Sequence, residues 1–293
     1  MEKTIKPINR LSFRDKMKSY KKHPGSFLLL LLVLVAAVIT VTVLCFLVGY
    51  ILIKGIPNLK PSLFAFEYNS ENVSMMPAII NTVYMVFLAL LFSVPFGVGA
   101  AIYLVEYAKK GNKLVNLIRL TAETLTGIPS IVYGLFGMLF FVTALHWEYS
   151  MLAGAATLAI MVLPVIMRTT EEALLCVPDS FREGSFGLGA GKLRTIFRIV
   201  LPAAVPGILS GVILAIGRIV GETAALIYTA GTVAGVAGLT DSGRTLAIHM
   251  YVLSNEGLHR GEANATAVVL LVVVLLINGL SSLVARKLEA PKQ

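Results

Sequence analysis

Six stretches of this chain, at 27–53, 78–107, 117–143, 151–168, 205–233 and 265–285, are apolar over lengths that an ordinary soluble fold does not use. A bilayer core about 30 Å thick takes roughly 20 residues of helix to cross. Within it every backbone N–H and C=O must be paired internally, so long apolar runs imply helices. The composition agrees: 57% of residues are hydrophobic, only 14% are charged and the mean hydropathy is +0.83, whereas soluble domains carry about 25% charged residues. The expected fold class is an all-α polytopic membrane protein with six transmembrane helices. The fourth run is the shortest, closed by Pro164 and Arg168, and its Gly154-Ala155-Ala156 would allow tight helix packing.

Charge placement then sets orientation. Of the 25 Lys and Arg residues, 20 fall on one side: Lys3 to Lys22, Lys109 to Arg119, Arg168 to Arg198, and Arg286 to Lys292. Lys54, Lys60, Arg244 and Arg260 fall on the other side, and Arg218 lies within a run. Cytoplasmic connections carry such an excess, so both termini are expected in the cytoplasm. The chain divides into a basic N-terminal segment 1–26, a membrane domain 27–286 with a long cytoplasmic connection at 169–204, and a tail 287–293. The net charge of +9 is thereby assigned to topology and the lipid surface rather than to nucleic acid. The first run is too long for the apolar part of a signal peptide and is expected to be a retained span. Cys45 and Cys176 are placed too differently for a disulfide, and the four histidines show no metal-ligand spacing.

The connection 169–204 is polar and punctuated by glycine. It predicts two short helices. Ser180-Phe181-Arg182-Glu183 has the form of a capping box after the breaker Pro178, and Gly187, Gly189 and Gly191 allow a sharp exit. A second helix carries Leu193, Ile196, Phe197 and Val200 on one face, and Pro202 is expected to end it and start the fifth span. Glu183 has two compatible readings, as a cap for its own helix or as part of a wider pattern. Gly187 to Lys192 is no phosphate loop, because Phe186 and Leu193 occupy the positions that need Gly and Ser or Thr. No phosphate cradle, and no cofactor, is therefore expected on this chain.

Two charged pairs interrupt the apolar runs. Arg218 and Glu222 are four residues apart in the fifth run, beside small-residue rows at Gly207, Gly211, Ala215 and at Gly217, Gly221, Ala225. An arginine at mid-bilayer costs about 2.5–3.5 kcal/mol on insertion scales, so it marks either a structural ion pair or a substrate route. Its always-charged fork suits the oxygens of a tetrahedral oxyanion. Glu222 would then orient Arg218 or release it. Arg119 and Glu123 repeat the spacing at the entry to the third span, before the polar, kinked stretch Thr124 to Ser130 around Gly127-Ile128-Pro129. That stretch either lines an inner vestibule or is a helix start reaching to water.

The spacing Glu183-Gly184-Ser185, three residues, Gly189, nine residues, Ile199, one residue, Leu201-Pro202 resembles the Glu-Ala-Ala loop by which ATP-binding-cassette (ABC) permeases dock on their ATPase. Gly184 and Ser185 depart from its two alanines. Thr124 to Gly134, together with Gly217-Arg218-Ile219-Val220-Gly221-Glu222-Thr223-Ala224, is similar to the phosphate-uptake permeases among the binding-protein-dependent inner-membrane components, and within them to the A-type subunit. The resemblance implies a type I ABC importer permease fold in a bacterial cytoplasmic (inner) membrane. It also implies a heterodimer with a second, homologous permease subunit, two ATP-binding subunits and an extracytoplasmic phosphate-binding protein. Glu183, Gly184, Ser185, Gly189, Ile199, Leu201 and Pro202 would couple to the ATPase. Arg218, Glu222, Thr223, Arg119 and Glu123 would line the pathway.

Overall fold

The computed structural model describes residues 24–109 and 111–289, with side chains described for 25–109 and 111–283. The basic segment 1–23, Lys110 and the last residues 290–293 lie outside the described residues. Every regular element among the described residues is helical. In chain order these are α1 (Pro24–Gly55), α2 (Met76–Ile102), α3 (Lys113–Thr126), α4 (Ser130–Gly137), α5 (Met151–Leu175), α6 (Asp179–Gly187), α7 (Lys192–Thr195), α8 (Leu201–Val220), α9 (Ala224–Ile227), α10 (Leu246–Glu256) and α11 (Arg260–Glu289). Wide π turns extend α2 through Tyr107 and α4 through Ala144, and another joins α7 to α8. Five helices are long and apolar enough to cross a membrane, and the α3–α4 pair makes a sixth span if its two parts, bent by 103°, are counted as one.

The chain falls into two compact units, 1–53 and 54–293. In the first, the described part is most of α1, a leucine- and valine-rich helix in which Thr40 returns its hydroxyl to the Ala36 carbonyl at 2.9 Å. The second unit is organised around α5, the most buried of the spans. Met85, Leu88 and Ala89 of α2 pack against Ala155, Leu158, Met161, Val162 and Ile166 of α5, joined by Ala215 and Ile219 of α8. Small residues set the spacing. A Cβ at Gly97 would come 2.9 Å from Ile166, one at Gly207 would meet Ala173, and one at Gly211 would run into Thr169. The row Gly207, Gly211, Ala215 is thus a packing seam against α5. The second row is not: a Cβ at Gly217 would meet nothing, and one at Gly221 only its own helix.

Two spans differ from their expected limits, the fifth at both ends. α5 does not stop at Arg168 but runs on to Leu175 with Pro164 inside it. Membrane helices tolerate proline where neighbours re-pair the backbone, and Arg168 bonds Glu172 four residues on at 3.3 Å, supporting the added turns. Pro202 does not end the second loop helix, because Lys192 to Val220 is one continuous span. The proline ring would crowd the carbonyl four residues earlier, at Arg198, and that residue lies in the π turn Ile196–Val200. Finally, the fifth run is not a single helix to 233; α8 ends at Val220 and the short α9 follows.

On the face opposite the basic loops, the connection 234–264 is a folded cover rather than a free solvent loop. The first N–H groups of α5 have no partner within their helix. Thr229, Asp241 and Leu239 give them carbonyls at 3.1, 3.0 and 2.9 Å. Asn81 of α2 holds the cover by donating to the carbonyls of Gly235 and Arg244 and accepting from Ala237 N–H. α10 buries Leu246, Ile248, His249 and Leu253 beneath it. His249 is fully buried, and burial first, then the Arg244 charge, lowers its imidazole to about 3.

Candidate functional site

The segment 176–202 builds the first site. α6 begins directly after Pro178, whose backbone (φ −57°, ψ 138°) sits at the helix entry, with Asp179 in the first turn where a carboxylate suits the positive end of the helix dipole. Ser180 is therefore already helical and cannot cap, and the expected capping box with Glu183 does not form. Glu183 is left exposed, with no ion pair or hydrogen bond among the described residues. The exit is as expected at Gly189, which has φ +80°. Ala190 N–H reaches the Ser185 carbonyl at 3.1 Å and Gly189 N–H the Phe186 carbonyl at 2.9 Å, the paired bonds of a Schellman end that favours glycine.

Ser185 is buried and shares a 2.8 Å hydroxyl bond with Thr195 of α7, so the exchange of alanine for serine adds a tie rather than merely preserving size. Gly184 stays exposed with open space around it. Of the expected apolar face, Ile196 and Val200 are buried, whereas Leu193 and Phe197 are exposed. They join Phe181, Phe186 and Leu188 among the exposed apolar side chains of α6, α7 and their junctions. A groove of about 320 Å³ runs between Ser185, Leu188, Gly189, Ala190, Arg194, Arg198 and Ile199. Leu201 and Pro202 open α8 beyond it. The arrangement offers a partner protein an apolar, cation-edged recess backed by a well-fixed helix.

Sequence reasoning missed Arg182 here. Its guanidinium makes five hydrogen bonds: two to Glu106 Oε1 at 3.0 and 2.8 Å, and one each to the Leu174 carbonyl at 2.9 Å, the Val177 carbonyl at 2.8 Å and Asp179 Oδ1 at 3.2 Å. The only visible signal was a lone glutamate, Glu106, at the end of an apolar run.

The second site is the break in the fifth span. α8 closes at Gly221, whose N–H reaches back to Gly217 O at 3.4 Å, and Thr223 leaves helical geometry (φ −124°, ψ −51°). The four-residue spacing of Arg218 and Glu222 thus spans the end of a helix instead of one face of it. Glu222, buried, turns its carboxylate to the Ala225 N–H at 3.0 Å and starts α9. It does not pair with Arg218, and among the described residues Arg218 has no ion pair or hydrogen bond. The half-buried guanidinium instead acts electrostatically on the Tyr133 hydroxyl. That hydroxyl donates to the Leu125 carbonyl at 2.8 Å across the Gly127-Ile128-Pro129 bend, which fixes the elbow between α3 and α4. Just beyond, Gly134 lies so close to α9 that a Cβ would come 2.8 Å from Ala225 Cα. Thr223 lines a neighbouring cavity of about 470 Å³ with Ile131, Tyr228, Tyr251, Ser254 and Asn264.

Arg119 and Glu123 do not pair with each other either. Arg119 contacts Glu171 at 2.6 Å, and Glu123 faces Arg168 at 3.8 Å. Residues four apart on α3 point the same way, and here that way is toward α5, which supplies the complementary charges around a cavity of about 230 Å³. The structure therefore separates the inner pair from Arg218 as a distinct ion-pair ladder. No group of His, Cys, Asp and Glu among the described residues has the placement to hold a metal.

Comparison with known proteins places this architecture. The model of the family described as binding-protein-dependent transport system inner membrane component matches residues 93–290. The chain is 33% identical to the probable ABC transporter permease protein YqgI of Bacillus subtilis over 87% of its own length and 94% of that relative. It is 35% identical to the phosphate transport system permease protein PstA of Yersinia pestis, over 80% of this chain and 81% of that one. Among solved structures, a bacterial alginate ABC transporter in complex with an alginate pentasaccharide-bound periplasmic protein has a chain of the same fold (TM-score 0.69, 17% identity, 92% of this chain and 98% of that chain). A chain with these spans, a type I importer fold and this extent of likeness is a multi-pass membrane permease component rather than an enzyme, and it belongs to the family of binding-protein-dependent transport system inner membrane components.

Proposed function

We propose that this chain is one half of the translocation pathway of an ATP-driven phosphate importer in a bacterial cytoplasmic membrane, with both termini in the cytoplasm. The observation that carries the phosphate reading is Arg218: a permanently charged fork, half-buried at the break in a span, with no carboxylate partner among the described residues. Its donors suit the oxygens of a tetrahedral oxyanion. The likeness to proteins named as phosphate permeases supports the same cargo.

In this reading an extracytoplasmic binding protein delivers phosphate to a heterodimer of this chain and a related permease subunit. Two ATP-binding subunits, which carry the ATP and magnesium, dock through Glu183, Gly184, Ser185, Gly189, Ile199, Leu201 and Pro202. Arg218 then meets phosphate transiently. Glu222, held by the Ala225 N–H, keeps its negative charge turned to the backbone of α9. Thr223 extends the polar route outward, and the Arg119–Glu171 and Glu123–Arg168 pairs flank its inner end.

Competition in whole-cell uptake of labelled phosphate tests the cargo. Unlabelled phosphate and arsenate should compete, while sulfate and molybdate should leave uptake unchanged. Equal competition by sulfate would overturn the phosphate reading and leave a permease for another oxyanion.

A further inference from the structure

One side chain of α6, Arg182, ties it to the ends of two spans. An arginine has five N–H donors in a rigid planar fork, and four of the five hydrogen bonds made by Arg182 lead out of α6 to the ends of spans, the fifth going to Asp179 in its own first turn. Glu106 lies at the last turn of the second span, in the π turn that closes α2. Leu174 and Val177 carry carbonyls at and just past the end of α5, where unpaired carbonyls and the negative end of the helix dipole both favour a cation. The Arg182 and Glu106 side chains are only 14% and 8% exposed, so water does little to screen or replace the pair. Lys192 adds a second link to the same end of α2, with its ammonium 4.6 Å from the centre of the Tyr107 ring.

The spans tied in this way are themselves packed tightly, Gly97 of α2 lying against Ile166 and Met167 of α5. On its other side α6 is joined to the start of the fifth span by the Ser185–Thr195 bond. Its exposed residues, Phe181, Glu183, Phe186 and Leu188, remain free to face a partner. Besides the three-residue chain link 176–178 to α5, force applied to that surface has a short, buried side-chain route into α2 and α5 through the guanidinium.

We propose that Arg182, anchored by Glu106, is the positioning residue that carries movement of a docked ATPase from α6 into the second and fourth spans. The proposal rests on the docking reading given above, and goes beyond it by naming the transmitting contact. A residue that only stabilised its own helix would alter the amount of assembled transporter. A transmitting residue alters how much cargo moves for each ATP consumed.

The test uses the complete transporter in proteoliposomes and reads phosphate imported per ATP hydrolysed, beside capture of the ATPase by the purified membrane subunits. Arg182→Lys keeps the charge but offers three donors from one point, and Glu106→Gln removes the charge of the anchor. Both should capture the ATPase normally while phosphate moved per ATP falls about 10-fold. The charge-exchanged pair Arg182→Glu with Glu106→Arg should recover part of that loss. If Arg182→Lys does not assemble, Glu106→Gln carries the test. A Glu183→Lys control separates the two readings. If that variant loses the ATPase while the tie variants keep a wild-type ratio, the transmitting role is refuted alone. If it still captures the ATPase, the docking reading fails and the tie with it.

Discussion

Arg182 and Arg218 each stand within reach of a glutamate in sequence or in space, yet their surroundings are opposite. Arg182 is enclosed, and its hydrogen bonds end on Glu106, Asp179 and two helix-terminal carbonyls. Arg218 has its nearby glutamate turned away to the α9 backbone and no bonded partner among the described residues. A guanidinium whose donors are all used cannot bind anything further without breaking the fold. One left open in a membrane-spanning helix keeps its donors for a visitor. Under the proposals above, the difference separates a mechanical arginine from a cargo-facing one, although the sequence presents both as an arginine near a glutamate.

Measurements can break this contrast. The largest effect on transport is expected for Arg218→Gln, which should lower phosphate uptake by about 100-fold, the equivalent of one or two charge-assisted hydrogen bonds, while the thermal midpoint of the purified complex stays the same or rises. A fall in that midpoint without loss of uptake would make Arg218 structural. Arg182→Ala should do the reverse to stability: removing one partner of a buried pair costs about 3–5 kcal/mol, visible as early protease cleavage within 176–202. Resistance equal to wild type would show that the five bonds do not hold α6. Smaller again is Gly189→Ala, since a Cβ at φ +80° costs about 1–2 kcal/mol. Gly187→Ala, at a helical position with open space around it, should be neutral or stabilise by roughly 0.5–1 kcal/mol. Equal effects of the two would remove the Schellman end as the reason for glycine.

A further effect is expected in α10, on the face opposite the basic loops. His249 titrates near 6.5 when unfolded and at about 3 when buried. A depressed pKa means its full contribution is present above pH 6.5 and is lost as pH falls from there toward 3. The cover formed by 234–264 should loosen by about 1 kcal/mol at pH 5.5, read as faster amide exchange in α10. His249→Gln should flatten that pH dependence; an unchanged slope would assign it to another group.

The number and placement of the spans were legible because lipid leaves helices little alternative. Where helices break was less so. Pro95, Pro164 and Pro206 all lie inside helices, whereas Gly127-Ile128-Pro129 makes a 103° bend and Gly221 ends α8. Local chemistry is similar at these points, and only the packing of Tyr133 and Glu222 decides between them. In the segment 176–202 the turn at Gly189 was readable from its glycines, whereas the exposure of Glu183 was not, because the capping box expected for it does not form. Arg182 was hidden because its anchor lies 76 residues away and two of its other partners are carbonyls, which have no residue identity.

The two interrupted spans meet where Gly134 abuts Ala225, and Gly127, Pro129 and Gly221 are all exposed there. Peptide groups outside a helix are costly against hydrocarbon, so this seam is a poor boundary with bulk lipid. A copy made in excess would carry that unfinished edge into the bilayer, and its lifetime would depend on how soon something polar or proteinaceous sealed it.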